Sequence, residues 1–349
     1  MSPKIIFRCD AGHAPEIGTG HIARSKTLAN TIVQKSLAQH KDIFFYTRDD
    51  DGFNLGKKYL ASSGIQFKEL SNNQLKANSQ SEEDILINTD AEIIFFDRLE
   101  TSKALITNIQ RAGIKVLTFD DYGSGRNFAD LAISAIFDDV SDSSNLVTGY
   151  KYLVLSKDSY IRPPIKENVQ NIVATFGGND ARDLCAHFLN HIHDIHHNIK
   201  VDIILGKVNA STLVNYENII SSKGLTGNIK LHIFPENYHE IISNADIAIS
   251  SGGLSIFEFA AYGVPSIGLP QYPHQLRTIK NLQKAGISII GTNGMELSDE
   301  TLSSSLEYLI NNHFVRKEMA EKSRKCIDGN GIERIIELLK TNFKDIFNE

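Results

Sequence analysis

The amino-acid sequence predicts an α/β protein of two domains that face one another across a cleft, each a parallel sheet covered by helices. Short β-branched or aromatic runs alternate with longer stretches of helical periodicity along the chain. The alternation pauses over residues 137–168, where an acidic, serine-rich stretch and the extended SYIRPPIKEN predict an irregular crossing. The length of 349 residues suits two domains. We therefore expect a first domain over 1–150, a second over 165–330, and a terminal helix over 331–349 that folds back across the boundary.

In the first half, strands and helices alternate with clear boundaries. The predicted strands are Lys4–Cys9, Asp42–Thr47, Gln66–Leu70, Glu92–Asp97, Lys115–Asp120 and Asp130–Ile136. Helices with strong periodicity run over His21–Leu37 and Ser102–Ala112. The polar, turn-rich stretch 71–81 predicts a loop.

In the second half the alternation restarts after residue 170. The strand-type runs are NIVATFGG, KVDIILG, NIKLHIFP, DIAISSGG, PSIGLP and ISIIGT. Helices are predicted from Asp180, from Ser211, over Ser255–Tyr262 and from His274, and the last part of the chain is mainly helical. Ligands of parallel α/β domains bind at the carboxyl ends of the strands, so the turns at these ends are the first places to look for a site.

Composition restricts the classes of function. The chain has 36 Lys plus Arg against 42 Asp plus Glu, and this net charge of -6 disfavours general attraction to nucleic acid. Its three cysteines lie far apart, which predicts neither disulfides nor a thiolate zinc site and favours a cytoplasmic location. No apolar run approaches a membrane span. We expect no nucleic-acid partner and no integral membrane segment, and the sequence leaves the oligomeric state open.

The stretch RCDAGHAPEIGTGHIARSKTLA is the most informative part of the chain. Gly18 and Gly20 lead into a helix that opens at His21, and such a helix start offers N–H groups to a phosphate or a developing anion. The helix dipole disfavours protonated His21, so we expect a neutral imidazole that accepts a proton; a structural hydrogen-bonding role is the alternative. Arg24 is either a phosphate contact or a surface ion pair. A dinucleotide fingerprint needs its first glycine directly after the strand, which disfavours a dehydrogenase.

Two turns of the second half carry paired glycines that suit phosphate binding through backbone N–H groups, with tight turns that hold no ligand as the alternative. They contribute Gly177, Gly178 and Asn179 from TFGGND, and Ser251, Gly252 and Gly253 from SSGG. Glu258, on an otherwise apolar helix, suits the hydroxyls of a ribose, with a solvated surface glutamate as the alternative. Gln275 begins the next helix, within reach of the same pocket.

Other polar clusters are weaker candidates. His187 and His191 have the i, i+4 spacing of a metal-binding pair, but Asp194 is the one acidic residue nearby in sequence, which favours a solvated helix end over a metal site. Asp97 and Asp120 end predicted strands, where they either line the substrate side of the cleft or cap the following helices.

Taken together, these motifs resemble the nucleotide-sugar hydrolases of pseudaminic acid biosynthesis and the related spore-coat polysaccharide proteins, which belong to the GT-B superfamily of two Rossmann-like domains. The resemblance covers nearly the whole chain in order, through RCDAG, PEIG, GTGHIAR, TFGGND and SSGGLSIFEFAAYGVPSIGLP followed by HQ. It implies that His21 is catalytic and activates water, and that the glycine pairs and Glu258 hold UDP. Leu99 stands where the hydrolases often have Tyr, and Phe257 where some have a substrate-binding Asn.

We therefore expect a cytoplasmic enzyme that hydrolyses a UDP-linked amino or deoxy sugar for surface-glycan synthesis, without a cofactor or an obligatory metal. The first alternative is a GT-B glycosyltransferase that moves the sugar to an acceptor, and the second is a non-catalytic sugar-nucleotide-binding protein. In the main interpretation His21 is the base. The expected substrate-binding residues are Asp10, Gly18, Gly20, Arg24 and Asp97.

Overall fold

In the computed structural model, the chain forms two compact units. Unit 1 comprises Met1–Ser156 together with Gly329–Glu349, and unit 2 comprises Lys157–Asp328. The structure describes residues 4–12, 18–50, 52–61, 64–70, 77–136, 143–155, 160, 164–178, 180–192, 198–206 and 208–347. No helix within these ranges combines the length and apolar character needed to cross a membrane.

Unit 1 contains a seven-stranded parallel sheet in the order β3-β2-β1-β4-β5-β6-β7. Its strands are β1 (Ile5–Cys9), β2 (Ile43–Arg48), β3 (Phe67–Leu70), β4 (Ile93–Asp97), β5 (Lys115–Phe119), β6 (Leu131–Ser134) and β7 (Leu146–Thr148). The connecting helices are α1 (Gly20–Gln34), α2 (Leu55–Ala61), α3 (Gln80–Ile87) and α4 (Lys103–Arg111), with short 3-10 helices at His40–Asp42, Ser124–Phe128 and Tyr150–Tyr152. The first six strands follow the Rossmann order.

The central strands of unit 1 are apolar because helices cover both faces of the sheet. Every residue of β1 and β4 is buried, as expected for a parallel sheet with two covered faces. The ring of Phe7 stacks on those of Phe45 and Phe95, with centroids 4.9 and 4.7 Å away. This packing fixes the carboxyl ends of β1 and β4 side by side, where the site of unit 1 lies.

Unit 2 repeats the arrangement with a six-stranded parallel sheet in the order β10-β9-β8-β11-β12-β13. Its strands are β8 (Asn171–Thr175), β9 (Lys200–Leu205), β10 (Ile229–Ile233), β11 (Ile247–Ser250), β12 (Ser266–Gly268) and β13 (Ser288–Ile290), with a small antiparallel pair of β14 (Thr292–Asn293) and β15 (Glu296–Leu297). Its helices are α5 (Leu184–His191), α6 (Ala210–Ser222), α7 (Tyr238–Ser243), α8 (Leu254–Tyr262), α9 (Pro273–Lys284), α10 (Asp299–Asn311) and α11 (His313–Cys326).

The end of the chain returns to unit 1 as α12 (Gly331–Asn342) and α13 (Lys344–Phe347). Ile335 and Leu339 of α12 belong to the same core cluster as the β1 side chains. A Cβ atom at Gly331 would lie 2.1 Å from the carbonyl oxygen of Leu153, so the close approach of this helix to unit 1 requires glycine.

The predicted two-domain parallel-sheet architecture is confirmed, and the six predicted strands of unit 1 agree with those observed to within two residues at each end. Two details differ. β7 lies inside the stretch predicted to be an irregular crossing, where it adds a seventh strand at the sheet edge. The stretch 71–81 was predicted as a loop, but α3 already starts at Gln80, because the Ser79 side chain accepts a hydrogen bond from the backbone N–H of Glu82. Residues 71–76 of that stretch lie outside the described ranges.

Candidate functional site

The first polar cluster lies in unit 1, at the N-terminus of α1 and the carboxyl ends of the neighbouring strands. Thr19 precedes α1 without capping it through its side chain, so the cap does not occupy the first-turn N–H groups. A Cβ atom placed on Gly18 would touch none of the described atoms within 4 Å. The start of α1 therefore has N–H groups that no side-chain cap occupies, and no described atom crowds Gly18; anion binding at Gly18 and Gly20 stays a prediction.

His21 lies in the first turn of α1 and contacts the carboxylate at the end of β4. Its Nδ1 atom is 2.7 Å from Oδ1 of Asp97. The Asp97 side chain is wholly buried, whereas the His21 side chain is 15% exposed. The imidazole thus contacts the buried carboxylate of Asp97, while part of the ring is exposed to solvent.

Asp97 is held in turn by two residues of α1. Arg24 donates from Nε to Oδ2 at 2.9 Å and from Nη2 to Oδ1 at 2.5 Å. Ser25 donates its hydroxyl to Oδ2 at 3.0 Å. With His21, each oxygen of Asp97 makes two hydrogen bonds, so the carboxylate is fixed in orientation.

The charge state of Asp97 follows from these contacts. Burial alone would raise the pKa of this carboxyl, but the Arg24 guanidinium and the hydrogen bonds from Arg24 and His21 lower it to about 2. An ionised Asp97 accepts the Nδ1–H of His21, and the lone pair then lies on Nε2. Tautomers are inferred from such partners. This arrangement suits a general base.

Arg24 also binds a second carboxylate, that of Asp120, which follows β5. Asp120 adopts a left-handed backbone conformation, with φ of 45°, and its other oxygen accepts the backbone N–H groups of Ala135 and Ile136 at 2.7 and 3.0 Å. Arg24 is only 4% exposed. The structure therefore corrects the expectations for this residue: it is neither a surface ion pair nor aimed at a phosphate, but is buried between two carboxylates.

Asp97 and Asp10 also differ from the sequence interpretation, since both are buried among cations. Asp10 accepts a hydrogen bond from Arg8 at 2.6 Å and another from the backbone N–H of Arg48 at 2.9 Å. Arg8 also donates to Glu82 at 2.6 Å. Neither aspartate presents its carboxylate as a substrate ligand, so we assign both a supporting position behind the surface of the site.

Glu82 of α3 completes this buried ionic network. Its carboxylate accepts hydrogen bonds from Arg8 and, at 2.7 Å, from Arg98. Burial opposes ionisation of Glu82, but Arg8 and Arg98 outweigh it and lower the pKa to about 2. The sequence analysis did not single out Arg8 or Glu82. The Ser79-x-x-Glu82 capping pattern locates the start of α3, but it does not indicate that Glu82 binds a strand residue.

The second polar region lies in unit 2, where the first glycine turn follows β8. Gly177 has φ of 80°, a conformation that favours glycine, and a Cβ atom there would meet no described atom within 4 Å. A Cβ atom at Gly206 would lie 2.6 Å from Cα of Gly178, so two turns approach closely here. Asn179 lies outside the described residues. The turn has the backbone shape that the sequence predicts for phosphate binding.

Asp180 ends this turn and caps the following helix. Its two carboxylate oxygens accept the backbone N–H groups of Leu184 and Cys185, each at 2.8 Å. Burial raises the pKa of Asp180 to about 6, although these two hydrogen bonds act in the opposite direction. Asp180 therefore links the end of the turn to the first residues of α5.

The second glycine turn joins β11 to α8. A Cβ atom at Gly252 would lie 2.6 Å from the carbonyl oxygen of Gln275, so α9 packs directly on this glycine. Gly253 precedes α8 and provides no side-chain cap, and a Cβ atom there would be 3.8 Å from Oγ of buried Ser251. The N-terminus of α8 thus keeps N–H donors that no side-chain cap occupies, with only van der Waals contacts beside Gly253.

Gln275 is held beside this turn. Its Oε1 accepts the backbone N–H of Gln271 at 2.9 Å, and its Nε2 lies 3.9 Å from the position of a Cβ atom on Gly253. The amide orientation follows from the hydrogen bond to Oε1. Gln275 therefore lies against the turn where the sequence places a nucleotide.

Glu258 lies on α8, a little more than one turn after Gly253, and is 9% exposed. The hydroxyl of Tyr238 donates to its Oε2 at 2.6 Å. Burial raises the pKa of Tyr238 well above its ordinary range, and the Glu258 carboxylate raises it further. Glu258 is therefore no solvated surface glutamate, and Tyr238 is a partner that sequence reasoning missed. The neighbouring Phe257 is fully buried.

Known proteins match the chain in sequence, one over nearly its whole length and one family model over most of its second half. Residues 172–339 match the family model described as the glycosyltransferase family 28 C-terminal domain. The spore coat polysaccharide biosynthesis protein SpsG of Bacillus subtilis is 24% identical over 351 aligned positions, which cover 95% of this chain and 96% of SpsG.

One further relative is a transferase by name, and one solved structure shares the fold. The UDP-N-acetylglucosamine--N-acetylmuramyl-(pentapeptide) pyrophosphoryl-undecaprenol N-acetylglucosamine transferase of Caldicellulosiruptor saccharolyticus is 34% identical over 113 residues, covering 31% of this chain and 30% of that enzyme. The crystal structure of MurG from Acinetobacter baumannii superposes with a TM-score of 0.68 at 16% identity, covering 97% of this chain and 100% of MurG. The chain is therefore similar to SpsG over nearly its whole length, its residues 172–339 match the C-terminal domain of glycosyltransferase family 28, and its two Rossmann-like units have the fold of MurG.

Proposed function

We propose that this protein is a glycosyltransferase of polysaccharide biosynthesis that takes a sugar from a UDP-linked donor and passes it to an acceptor hydroxyl. The observation that carries this proposal is the contact of His21 Nδ1 with Asp97 Oδ1 at 2.7 Å. A buried, ionised carboxylate behind a partly exposed imidazole is the arrangement of a general base. The name of SpsG supports the assignment to polysaccharide synthesis.

In this mechanism, Nε2 of His21 accepts the proton of the acceptor hydroxyl. The acceptor oxygen forms a bond to the anomeric carbon of the sugar as the bond from that carbon to the diphosphate oxygen breaks, and the electron pair leaves with UDP. Asp97 stabilises the imidazolium that forms, because it is ionised and fixed by Arg24 and Ser25. Arg24 and Asp97 are thus positioning residues, and His21 is the catalytic residue.

Unit 2 is the proposed site of the nucleotide. The N-terminus of α8 follows Gly253 without a side-chain cap, and its N–H groups suit the negative charge that develops on the leaving diphosphate. We assign the ribose hydroxyls to Glu258 and place Gln275 and the turn at Gly177 around the nucleotide. The name of the relative that uses UDP-N-acetylglucosamine supports UDP as the nucleotide.

Hydrolysis of the same donor is the competing reaction, because the base that activates a hydroxyl also activates water. Transfer is favoured over the hydrolysis expected from the sequence. The matching family model is that of a glycosyltransferase family, and the relative from Caldicellulosiruptor saccharolyticus is named as a transferase. A cytoplasmic location and a sugar of the nonulosonic-acid pathway belong to the same proposal.

Release of UDP tests the three functions together. The full chain would first be screened by thermal shift against UDP- and CMP-sugars, and UDP release from the stabilising donors would then be measured with and without candidate acceptors. Release that depends on an acceptor is expected. Equal release in its absence would indicate a hydrolase, and donor binding without release under any condition would indicate a binding protein. The variant His21→Gln serves as the control for enzymatic release.

A further inference from the structure

The last turn of α5 and the first residue of α10 bring two histidines and a carboxylate together in unit 2. The candidate ligand atoms of His187, His191 and Asp299 all lie within 4.8 Å of one another. His191 Nε2 is 2.8 Å from one oxygen of Asp299, and His187 Nδ1 is 3.8 Å from the other. The sequence analysis found the two histidines but no suitable third group, because Asp299 is far away in the sequence.

The hydrogen bonds of the two imidazoles suit metal binding. His191 Nδ1 lies 2.6 Å from the carbonyl oxygen of His187, so Nδ1–H donates to the backbone and the lone pair of Nε2 faces Asp299. The His187–Asp299 distance is longer than a hydrogen bond, and Nε2 of His187 is buried with no hydrogen-bond partner in the part of the chain that the structure describes. His187 Nδ1 therefore faces Asp299 without forming a hydrogen bond to it.

The spacing of these groups matches a small tetrahedral cation. Bonds of about 2.0–2.1 Å from a central Zn²⁺ to nitrogen or oxygen separate neighbouring ligand atoms by about 3.3 Å. The observed separations of 2.8 and 3.8 Å lie on either side of that value. The third separation, between the two imidazole nitrogens, is at most 4.8 Å.

The surroundings also favour a cation. The side chains of His187 and His191 are 10% and 20% exposed, and that of Asp299 is 67% exposed, so an ion has access from solvent. Ser298, and not Asp299, caps α10 by accepting the N–H of Thr301, which leaves the Asp299 carboxylate outside the cap. The C-terminal end of α5 contributes a partial negative charge.

We propose that His187, His191 and Asp299 form a binding site for a divalent transition metal of the Zn²⁺ class, which joins the end of α5 to the start of α10. Two imidazoles and one carboxylate leave a fourth position for water. The site is independent of the transferase proposal.

The test uses the tag-free full chain with Co²⁺ and Zn²⁺ as probes. Titration with Co²⁺ is expected to give the intense visible absorption of a tetrahedral site at one equivalent, and Zn²⁺ is expected to displace it and to raise the melting temperature. Asp299→Asn, which changes an exposed side chain, and His191→Gln should each weaken metal binding at least about 10-fold, the lower end of the loss seen when even a second-shell partner is removed.

Two controls address other histidines. His232 forms a comparable pair with Asp202, at 2.6 Å, so His232→Gln should leave Co²⁺ binding unchanged. His193, His196 and His197 are close in sequence and lie outside the described residues. Their joint replacement by Asn should also leave binding unchanged. The proposal is overturned if the wild-type chain binds neither metal, or if Asp299→Asn and His191→Gln bind Co²⁺ as the wild type does.

Discussion

At the scale of single residues, Asp97 determines what His21 can do. Four hydrogen bonds from His21, Arg24 and Ser25 converge on its two oxygens. A buried carboxylate of this kind is stable only because it is paired, and it keeps its charge because Arg24 lies against it. The geometry therefore assigns proton transfer to His21 and orientation to Asp97.

Replacing His21 by Gln tests this division of roles. Gln retains a polar side chain but provides no basic nitrogen, so turnover should fall by about 10² to 10⁴, the usual contribution of general-base catalysis. UDP affinity should change little, because the proposed nucleotide contacts lie in unit 2. Turnover, UDP affinity by calorimetry and melting temperature would be measured on the same variant. Near-normal turnover would exclude His21 as the base, and loss of folding would show a structural role instead.

Glu258 offers a second test at this scale. Glu258→Ala should weaken UDP binding by about 1 to 3 kcal/mol, the cost of losing a charged hydrogen-bonding partner. Tyr238→Phe is the matched control, because it removes the donor to Oε2 but keeps the carboxylate. This variant should lower the melting temperature and change the UDP affinity little. Calorimetric titration of both variants with UDP separates the effects. Unchanged affinity in Glu258→Ala would remove this residue from the nucleotide site.

Side-chain partners were the part of the site that the sequence predicted least well. His21 and Asp97 were each identified as candidates, because one opens a helix after glycines and the other ends a strand. Their mutual contact depends on β4 lying next to β1 in the sheet, and sequence spacing does not show which strand neighbours which. Tyr238, which binds Glu258 from a different helix, is missed for the same reason.

At the scale of elements, helix starts next to glycines mark the predicted nucleotide site. The caps of α3 and α4 are the side chains of Ser79 and Ser102, which accept first-turn N–H groups. The N-cap residues of α1 and α8, Thr19 and Gly253, make no such bond. The starts of α9 and α11 also lack a side-chain cap, so the adjacent glycines, and not the missing cap alone, select α1 and α8 as candidates for anion binding.

The pair Gly253→Ala and Gly252→Ala distinguishes ligand access from packing. A methyl group on Gly253 meets no described atom closer than 3.8 Å, so this variant should fold normally but bind UDP at least about 10-fold more weakly, which corresponds to one lost hydrogen bond of about 1.4 kcal/mol. On Gly252 a methyl group would lie 2.6 Å from the Gln275 carbonyl oxygen, so this variant should lose about 1 to 3 kcal/mol of stability.

Melting curves and UDP titrations of both alanine variants check this pair. If Gly253→Ala binds UDP as tightly as the wild type, the N-terminus of α8 does not hold the diphosphate. If Gly252→Ala melts at the wild-type temperature, α9 can move away from the turn without cost.

Elements with a strong hydrophobic pattern were the ones the sequence predicted well. β1 and β4 are apolar apart from Arg8 and Asp97, because both faces of the sheet are buried, and both strands were predicted nearly to the residue. β7 has three residues, all half-buried, at the edge of its sheet. Such a strand has neither the length nor the pattern to stand out, and only its pairing with β6 identifies it.

At the scale of the whole molecule, one buried carboxyl of each unit is expected to respond to acid, and the two responses have opposite signs. In unit 1, Arg8 and Arg98 hold the pKa of Glu82 at about 2, below its ordinary 4.5. The stability that this ion pairing provides is complete above pH 4.5 and is lost as the pH falls towards 2. In unit 2, burial raises the pKa of Asp180 from 3.8 to about 6. Ionised Asp180 therefore costs stability above pH 6, and that cost disappears as the pH falls through 6 towards 4.

Urea unfolding of the full chain from pH 7 to pH 2.5, followed by far-ultraviolet circular dichroism, tests both signs. The Glu82 contribution is about 3 kcal/mol, at about 1.4 kcal/mol per pKa unit. Glu82→Gln should therefore be less stable than the wild type at pH 7, because Arg98 loses the Glu82 carboxylate and Arg8 retains only that of Asp10. The variant should also lose less stability between pH 4.5 and 2.5. Asp180→Asn should lose stability below pH 4.5 as the wild type does, but it should not gain stability as the pH falls from 6 to 4. If Glu82→Gln loses stability below pH 4.5 as steeply as the wild type does, the ion pairs of Glu82 are not the source of the acid sensitivity.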